Sequence, residues 1–137
     1  MKRLLALDHG SVRIGAAISD PLHIFAKPLK VIANRGFKPV LSELQDIIQA
    51  QDIGMIILGL PLAIEGGKTQ RTLEVESFGE KLKKALDIEI IYWDERYSSA
   101  EADEELIKLG YTWQESRNLK DAMAAALILK SYLESLS

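Results

Sequence analysis

The chain has 137 residues, 47% of them hydrophobic and 27% charged, with a formal net charge of −3. This length and composition predict a single domain over residues 1–137. The absence of a long apolar run or a signal peptide predicts a cytoplasmic protein that does not contact a membrane. Because the chain has no cysteine and only two histidines, disulfides and a cysteine nucleophile are excluded, and zinc sites with several imidazole ligands are not expected.

Three predicted strands open the chain. An apolar run ends at Asp8, a turn at Gly10-Ser11 follows, and a second run extends to Ser19. Pro28 lies within the third run and indicates a strand that is irregular or at an edge of the sheet. The three strands are predicted at residues 3–8, 13–19 and 26–33.

Helices and strands alternate in the next part of the chain. Pro39 opens a predicted helix that extends to residue 50. The wholly apolar run 55–58 is typical of a strand that is buried on both faces. A glycine- and proline-containing loop over 59–68 follows, and then a helix over 69–86 and a strand over 89–93.

Two further helices are predicted near the end of the chain. Ser98 and Glu101 form a capping box for a helix that reaches Leu109, and Gly110 ends it. Asn118 is the predicted N-cap of the last helix, which extends to about residue 135. Its predicted buried stripe consists of Met123, Ala126, Leu127 and Leu133.

Asp8 is the leading candidate for a functional carboxylate. It ends a buried strand two residues before Gly10, which lets the backbone come close to a ligand, although an aspartate in this place can also be a plain turn residue. Asp94 and Glu95 end another strand in the same way. Because side chains alternate along a strand, only one of these two need face the same site as Asp8.

Asp121 has two interpretations. It falls near the third position after Asn118, where a carboxylate simply favours the positive end of a helix. The basic residues Arg117 and Lys120 beside it favour instead a site that meets phosphate groups.

Acidic side chains that meet at one rim of a sheet would repel one another unless a cation, a proton or Arg96 lay between them. Oxygen-only ligands favour Mg²⁺ or Mn²⁺, and two such ions are expected at a cluster of this kind. The arrangement therefore indicates phosphodiester chemistry.

Basic residues are concentrated in the first part of the chain. Residues 1–40 carry a net charge of +5, whereas residues 41–137 carry −8. A local positive potential can steer a polyanion although the total charge is negative, but an ordinary solvated surface can have the same distribution. The predicted nucleic-acid contacts are Arg13, Lys27, Lys30, Arg35, Lys38, Lys68, Arg71, Arg96, Arg117 and Lys120.

The chain resembles the YqgF/RuvX family of ribonuclease H-like proteins, which are described as Holliday junction resolvases and as nucleases that mature the small-subunit ribosomal RNA precursor. The resemblance implies an α/β, ribonuclease H-like fold with a five-stranded mixed β-sheet flanked by α-helices. It implies catalytic, metal-binding acids at Asp8, Glu95 and Asp121. The motifs that carry it are Leu7-Asp8-His9-Gly10 with Arg13-Ile14-Gly15, Gly59-Leu60-Pro61-Leu62, Trp93-Asp94-Glu95-Arg96, and Lys120-Asp121-Ala122-x-Ala124-Ala125.

Three functions fit these observations. The first is an endonuclease dependent on Mg²⁺ or Mn²⁺ that acts on precursor 16S ribosomal RNA, on Holliday junctions or on both. Symmetric cutting of a junction would suggest a homodimer, whereas trimming of RNA requires none. The second is a non-catalytic nucleic-acid-binding protein of the same fold. The third is a phosphotransferase, since Asp8-x-Gly10 with Arg13 and Gly15 also resembles the phosphate hairpin of actin-like kinases, although those proteins need two such domains.

Overall fold

The computed structural model describes residues 2–96 and 108–136. Within them, a five-stranded sheet is flanked by helices on both faces. The elements in chain order are β1 (Arg3–His9), β2 (Arg13–Ser19), β3 (Ala26–Ala33), α1 (Phe37–Gln51), β4 (Ile53–Leu60), α2 (Gln70–Ala85), β5 (Glu89–Asp94) and α3 (Trp113–Ser135).

The sheet is mixed, and its strand order brings several strand ends to one edge. The order is β3-β2-β1-β4-β5. Neighbouring strands are antiparallel among β1, β2 and β3, and parallel among β1, β4 and β5. The ends of β1, β3, β4 and β5 and the start of β2 therefore lie together. This edge is called the carboxyl edge below.

Alternation along β1 divides the core between the two faces of the sheet. Leu5 and Leu7 face α1 and α2 and belong to one buried cluster. Leu4 and Ala6 face α3 and belong to the other. Helices thus cover both faces, as expected for a sheet whose central strands are apolar throughout. No helix among the described residues is long and apolar enough to cross a membrane.

The predicted strands and the first two helices are confirmed, with small shifts at their ends. β2 and β3 have the predicted bounds, and the other three strands are each one to four residues longer. Pro28 lies on an edge strand beside an irregularity in the register, so both expectations for this residue hold. The helix predicted from Ser98 to Leu109 falls mainly on residues 98–107, which lie outside the described part of the chain.

The prediction that the last helix begins at Asn118 is wrong. α3 begins at Trp113, because Thr112 and Glu115 form a reciprocal capping box that satisfies the first backbone N–H groups. Asn118 therefore lies inside the helix. Asp121 lies about two turns from its start, so the interpretation of Asp121 as a carboxylate at the positive helix end is wrong as well.

Candidate active site

Asp8 lies at the carboxyl edge, and strand alternation directs it towards α3. It follows Ala6 by two residues, so both side chains are on the α3 face of β1. His9 follows on the other face, where its ring lies 4.5 Å from the ring of Phe78. The acidic end of β1 is thus half-enclosed by the sheet and α3 rather than projecting from a turn.

A glycine opposite Asp8 lets α3 approach the sheet at this point. Gly15 pairs with Asp8 in the β1–β2 register. A Cβ atom on Gly15 would collide with the backbone carbonyl of Asp121 and lie 2.9 Å from the nitrogen of Ala122. Because Gly15 has no side chain, the backbone of α3 packs directly on β2, and this contact brings Asp121 beside Asp8.

A second glycine makes room for the carboxyl group of Glu95. Glu95 follows Trp93 by two residues, and Trp93 faces α3. Gly59 on β4 pairs with Trp93 and lies between β5 and β1. A Cβ atom there would clash with Oε2 of Glu95 and lie 2.6 Å from Cδ1 of Ile128. The missing side chain of Gly59 is the space through which Glu95 reaches Asp8.

The carboxyl groups of Asp8 and Glu95 share a hydrogen bond, and both have a raised pKa. Burial and the nearby charge of Asp8 raise the pKa of Glu95 to about 8. Burial also raises the pKa of Asp8, and the charge of Asp121 adds to this effect. The shared bond raises the pKa of Glu95 but lowers that of Asp8, so Glu95 is the member of the pair that favours the proton.

Asp94 points away from this pair. The guanidinium of Arg96 binds it, with Nε at 2.8 Å and Nη2 at 2.6 Å from Oδ2. This hydrogen bond lowers the pKa of Asp94. Of the two acids that end β5, the structure therefore brings Glu95 to Asp8 and leaves Asp94 with Arg96.

Asp121 is near Asp8 but is held by a basic side chain. Nε of Arg13 lies 2.9 Å from Oδ2 of Asp121. Within residues 2–96 and 108–136, no three acidic or histidine side chains are grouped as they would be in a ready-made metal site. The pair of Asp8 and Glu95 nevertheless fits a divalent cation, since two buried carboxyl groups this close need either a proton or a cation between them.

Arg71 places a positive charge over the carboxyl pair. Its charge lowers the pKa of both Asp8 and Glu95, and Nη2 donates to the backbone carbonyl of His9. Arg71 lies in the first turn of α2, which begins with a capping box at Thr69. The hydroxyl of Thr72 donates to the carbonyl of Pro61, so the start of α2 is fastened to the end of β4.

The predicted nucleic-acid contacts are spread over several surfaces. Arg13 and Lys120 line a polar groove of about 420 Å³ beside Asp121, together with Gln114 and Asn118. Arg35 and Lys38 are exposed and follow the end of β3, next to the carboxyl edge. This places basic groups on two sides of the acidic pair.

Other members of the predicted set lie farther from the carboxyl edge or form ion pairs with acidic side chains. Lys27 pairs with Ile18 near the opposite end of β3, roughly 20 Å from the carboxyl edge. Ion pairs join Lys30 to Glu43, Lys68 to Glu76 and Arg71 to Glu74. Arg117 lies on α3, and its side chain is outside the described part of the structure.

Sequence reasoning named Gly15 and Gly59 only as members of motifs and placed Gly59 in a loop, so it missed their part in assembling the site. Gly15 and Gly59 each interrupt a buried strand, where a glycine weakens the sheet and often marks a close approach of another chain segment. That signal was present in the sequence. What could not be read from it was which segment approaches, because this depends on the packing of α3 and the end of β5.

Comparisons with known proteins agree with the fold. The family model "RuvX: Holliday junction resolvase" matches residues 2–135. A relative from Maridesulfovibrio salexigens, named "Putative pre-16S rRNA nuclease", is 38% identical over 131 residues, which is 96% of this chain and 97% of the relative. A relative of the same name from Syntrophomonas wolfei is 37% identical over 132 residues, 96% and 94% of the two chains.

Solved structures similar over nearly the whole chain include a resolvase complex. It is described as "T. thermophilus RuvC in complex with Holliday junction substrate", and its TM-score is 0.61 at 11% identity, covering 100% of this chain and 97% of that one. This likeness shows the ribonuclease H-like fold that the sequence motifs implied. Because the family model spans nearly all residues and the relatives match along almost their full length, the chain belongs to the YqgF/RuvX family.

Proposed function

We propose that this chain is a metal-dependent endonuclease that hydrolyses phosphodiester bonds in structured nucleic acid. The observation that carries the proposal is the buried, hydrogen-bonded pair of Asp8 and Glu95 with Asp121 beside it. Burial of two carboxyl groups in contact with each other destabilises the folded protein. Groups that are present despite such a destabilisation often belong to functional sites. Membership of a family of resolvases and nucleases supports the same reading.

The proposed roles follow from position. Asp8 and Glu95 would hold a divalent cation in place of their shared proton, and Asp121 would join them by exchanging its bond to Arg13. Mg²⁺ or Mn²⁺ bound there, as two ions, would activate an attacking water and stabilise the leaving oxygen. Arg71 and Arg13 would then contact the phosphates on either side, because each lies beside one of the acids.

The substrates we propose are precursor 16S ribosomal RNA, Holliday junctions or both. The relatives are named for the first and the family model for the second. Both substrates are found in the cytoplasm of bacteria, which is the location proposed for this protein. Symmetric cleavage of a junction would in addition suggest a homodimer.

Cleavage of two substrates side by side tests the proposal. Labelled junction DNA and precursor ribosomal RNA are incubated with the protein and Mg²⁺, Mn²⁺ or EDTA. Asp8→Asn should reduce cleavage by several orders of magnitude and leave the fold intact, because it keeps the shape of the side chain and removes its charge. Asp94→Asn is the matched control, since Asp94 ends the same strand as Glu95 but faces Arg96. It should cleave at nearly the wild-type rate.

The non-catalytic reading has one observation in its favour. Arg13 forms an ion pair with Asp121, and the three acids do not form a ready metal site among the described residues. A nucleic-acid-binding protein with this arrangement would bind junction DNA or precursor RNA equally well before and after Asp8→Asn, and would cleave neither. Cleavage by the wild-type protein that is lost in Asp8→Asn would exclude this alternative.

A further inference from the structure

A small cavity lies on the opposite side of β1 from Asp8. Its volume is about 170 Å³, and it opens between the end of β1, the start of α1 and the middle of α2. The cavity is smaller than the roughly 300–1,000 Å³ of sites for drug-sized ligands, so it has room for a single ring system. It is lined by His9, Asn34, Phe37, Glu74, Ser77, Phe78 and Lys81.

Aromatic rings form much of the wall of this cavity. The rings of His9 and Phe78 are 4.5 Å apart, and Phe37 meets Phe78 edge-on at 6.1 Å. Aromatic rings are the surfaces on which unpaired nucleobases stack.

Polar groups at the cavity divide into those that shape it and those that can meet a ligand. Asn34 donates from Nδ2 to the carbonyl of Gly10 at 2.8 Å, which fixes the wall against the β1–β2 turn. Ser77 and Lys81 are exposed at the opening, and Nζ of Lys81 lies 5.8 Å from the ring centre of Phe37. A hydroxyl and an ammonium group at the mouth suit the polar edge of a base.

The cavity also lies close to the pair formed by Asp8 and Glu95. His9 and Asp8 are consecutive, so their Cα atoms are about 3.8 Å apart although their side chains lie on opposite faces. Arg71 contacts the backbone of His9 and acts electrostatically on Asp8 and Glu95. A nucleic-acid strand whose phosphate meets Arg71 would therefore have a neighbouring base within reach of the cavity.

We propose that the cavity lined by His9, Phe37 and Phe78 binds one unpaired nucleobase next to the phosphodiester bond that is cut. The inference rests on the proposed nuclease function and adds a preference to it: the substrate must present an unpaired or extruded nucleotide at the carboxyl edge. Recognition is by stacking, so it tolerates different bases.

An abasic scan tests this proposal. A DNA fork and an RNA fork of the same sequence are prepared with a single abasic residue at successive positions of the unpaired arm. Binding is measured with the full chain carrying Asp8→Asn, so that the substrate is not cut. Because the duplex fixes the register, one abasic position in the DNA fork, the RNA fork or both should weaken binding by about 5- to 150-fold. The fork that responds identifies the sugar.

Variants of the cavity decide whether it holds that base. His9→Leu and, independently, Phe37→Leu should abolish the position-specific loss, whereas His9→Phe should retain it because the aromatic face remains. Phe25→Ala is the matched control. Phe25 is an aromatic residue that is 71% exposed, and it precedes the start of β3, at the end of the sheet opposite the carboxyl edge. It should leave the profile unchanged. Circular dichroism checks that each variant is folded.

The outcomes separate this inference from the proposed nuclease. A flat abasic profile in both forks, or a profile that folded His9→Leu and Phe37→Leu proteins both retain, would overturn the cavity proposal even if the wild-type protein cuts the forks. A position-specific profile that depends on His9 and Phe37 would support it. If the wild-type protein cut neither junction DNA nor precursor ribosomal RNA in that case, the binding part would stand and the nuclease proposal would fail.

Discussion

Two adjacent acids at the end of β5 show how much depends on a single residue position. Asp94 is exposed and bound by Arg96, which lowers its pKa. Glu95 is turned to the other face, where burial and Asp8 raise its pKa to about 8. The side-chain period of two along a strand is sufficient to explain the difference. Asp94 forms an ion pair at the surface, whereas Glu95 belongs to the candidate active site.

The raised pKa of Glu95 predicts how stability depends on pH. The folded protein keeps a proton that the unfolded chain releases above its ordinary pKa near 4.5. Without divalent metal, this group therefore lowers the free energy of unfolding progressively as pH rises from about 4.5 to about 8, with no further loss above that range. Glu95→Gln should flatten this dependence and be more stable than wild type at pH 9.

Denaturant unfolding at pH 5, 7 and 9 in EDTA measures this effect. Asp94→Asn is the control, because the pKa of Asp94 is lowered and its contribution is lost only as pH falls through the acid range. Its slope between pH 5 and 9 should match that of wild type. Equal slopes for wild type and Glu95→Gln would show that Glu95 is ionised in the folded protein.

Gly59 provides a second prediction at the scale of one residue. Gly59→Ala places a methyl group where Oε2 of Glu95 and Cδ1 of Ile128 now lie. Both are ends of side chains, so the fold can adjust, and we expect a loss of about 1–3 kcal/mol in the free energy of unfolding. The carboxyl group of Glu95 must move away from Asp8, and cleavage should fall roughly 100-fold or more.

The matched control for this variant is Gly67→Ala. A Cβ atom on Gly67 would meet only Oε1 of Glu65 at 3.7 Å, which is an ordinary contact. Cleavage and stability should stay close to wild type. If Gly59→Ala cut the substrate as fast as Gly67→Ala, Glu95 would not be needed in its present position.

At the scale of an element, the position of α3 depends on the glycine it packs against. Gly15→Ala would drive a methyl group into the backbone of Asp121 and Ala122, which cannot rotate away as a side chain can. The helix must shift as a unit. We therefore expect a larger loss of stability than for Gly59→Ala, more than about 3 kcal/mol, together with loss of cleavage because Asp121 leaves Asp8. Thermal unfolding of the two variants side by side provides the comparison.

The order and type of the described elements were largely predictable, whereas one boundary was not. The apolar runs of β1, β4 and β5 have strong local patterns, so their existence followed from the sequence alone. The start of α3 was misplaced because Asn118 and Thr112 are both good N-caps. The choice between them was made by Glu115, which completes the capping box with Thr112.

The candidate site was predictable in its members but not in its contacts. Asp8, Glu95 and Asp121 were named from strand ends and motifs, and the structure brings them to the same region. The bond between Arg13 and Asp121 joins residues 108 positions apart, and no local pattern encodes it. The cavity behind His9 was missed for the same reason, since its walls come from three separate elements.

At the scale of the whole molecule, the fold places the basic residues of the first part of the chain at different distances from the carboxyl edge. Residues 1–40 together carry a net charge of +5, and the two lysines of β3, Lys27 and Lys30, lie within the first five residues of this edge strand. Arg35 and Lys38 lie at the carboxyl edge, whereas Lys27 lies near the other end, roughly 20 Å away. Since charges more than about 10 Å apart are largely screened at 0.1 M salt, these residues should not contribute equally to binding at the site.

Two double variants test this difference. Arg35→Gln with Lys38→Gln and Lys27→Gln with Lys30→Gln each remove two positive charges, so the net charge of the molecule changes equally. If Arg35 and Lys38 each contact one phosphate, their loss should weaken binding whatever the sequence and reduce the slope of log affinity against log salt by about 1.4 on single strands and 1.8 on duplex. The second pair should change the slope by much less, because Lys30 already pairs with Glu43 and Lys27 is far from the carboxyl edge. Equal slopes for the two variants would mean that nucleic acid lies along the whole of β3, and a larger effect of the Lys27 and Lys30 pair would move the binding surface away from Asp8.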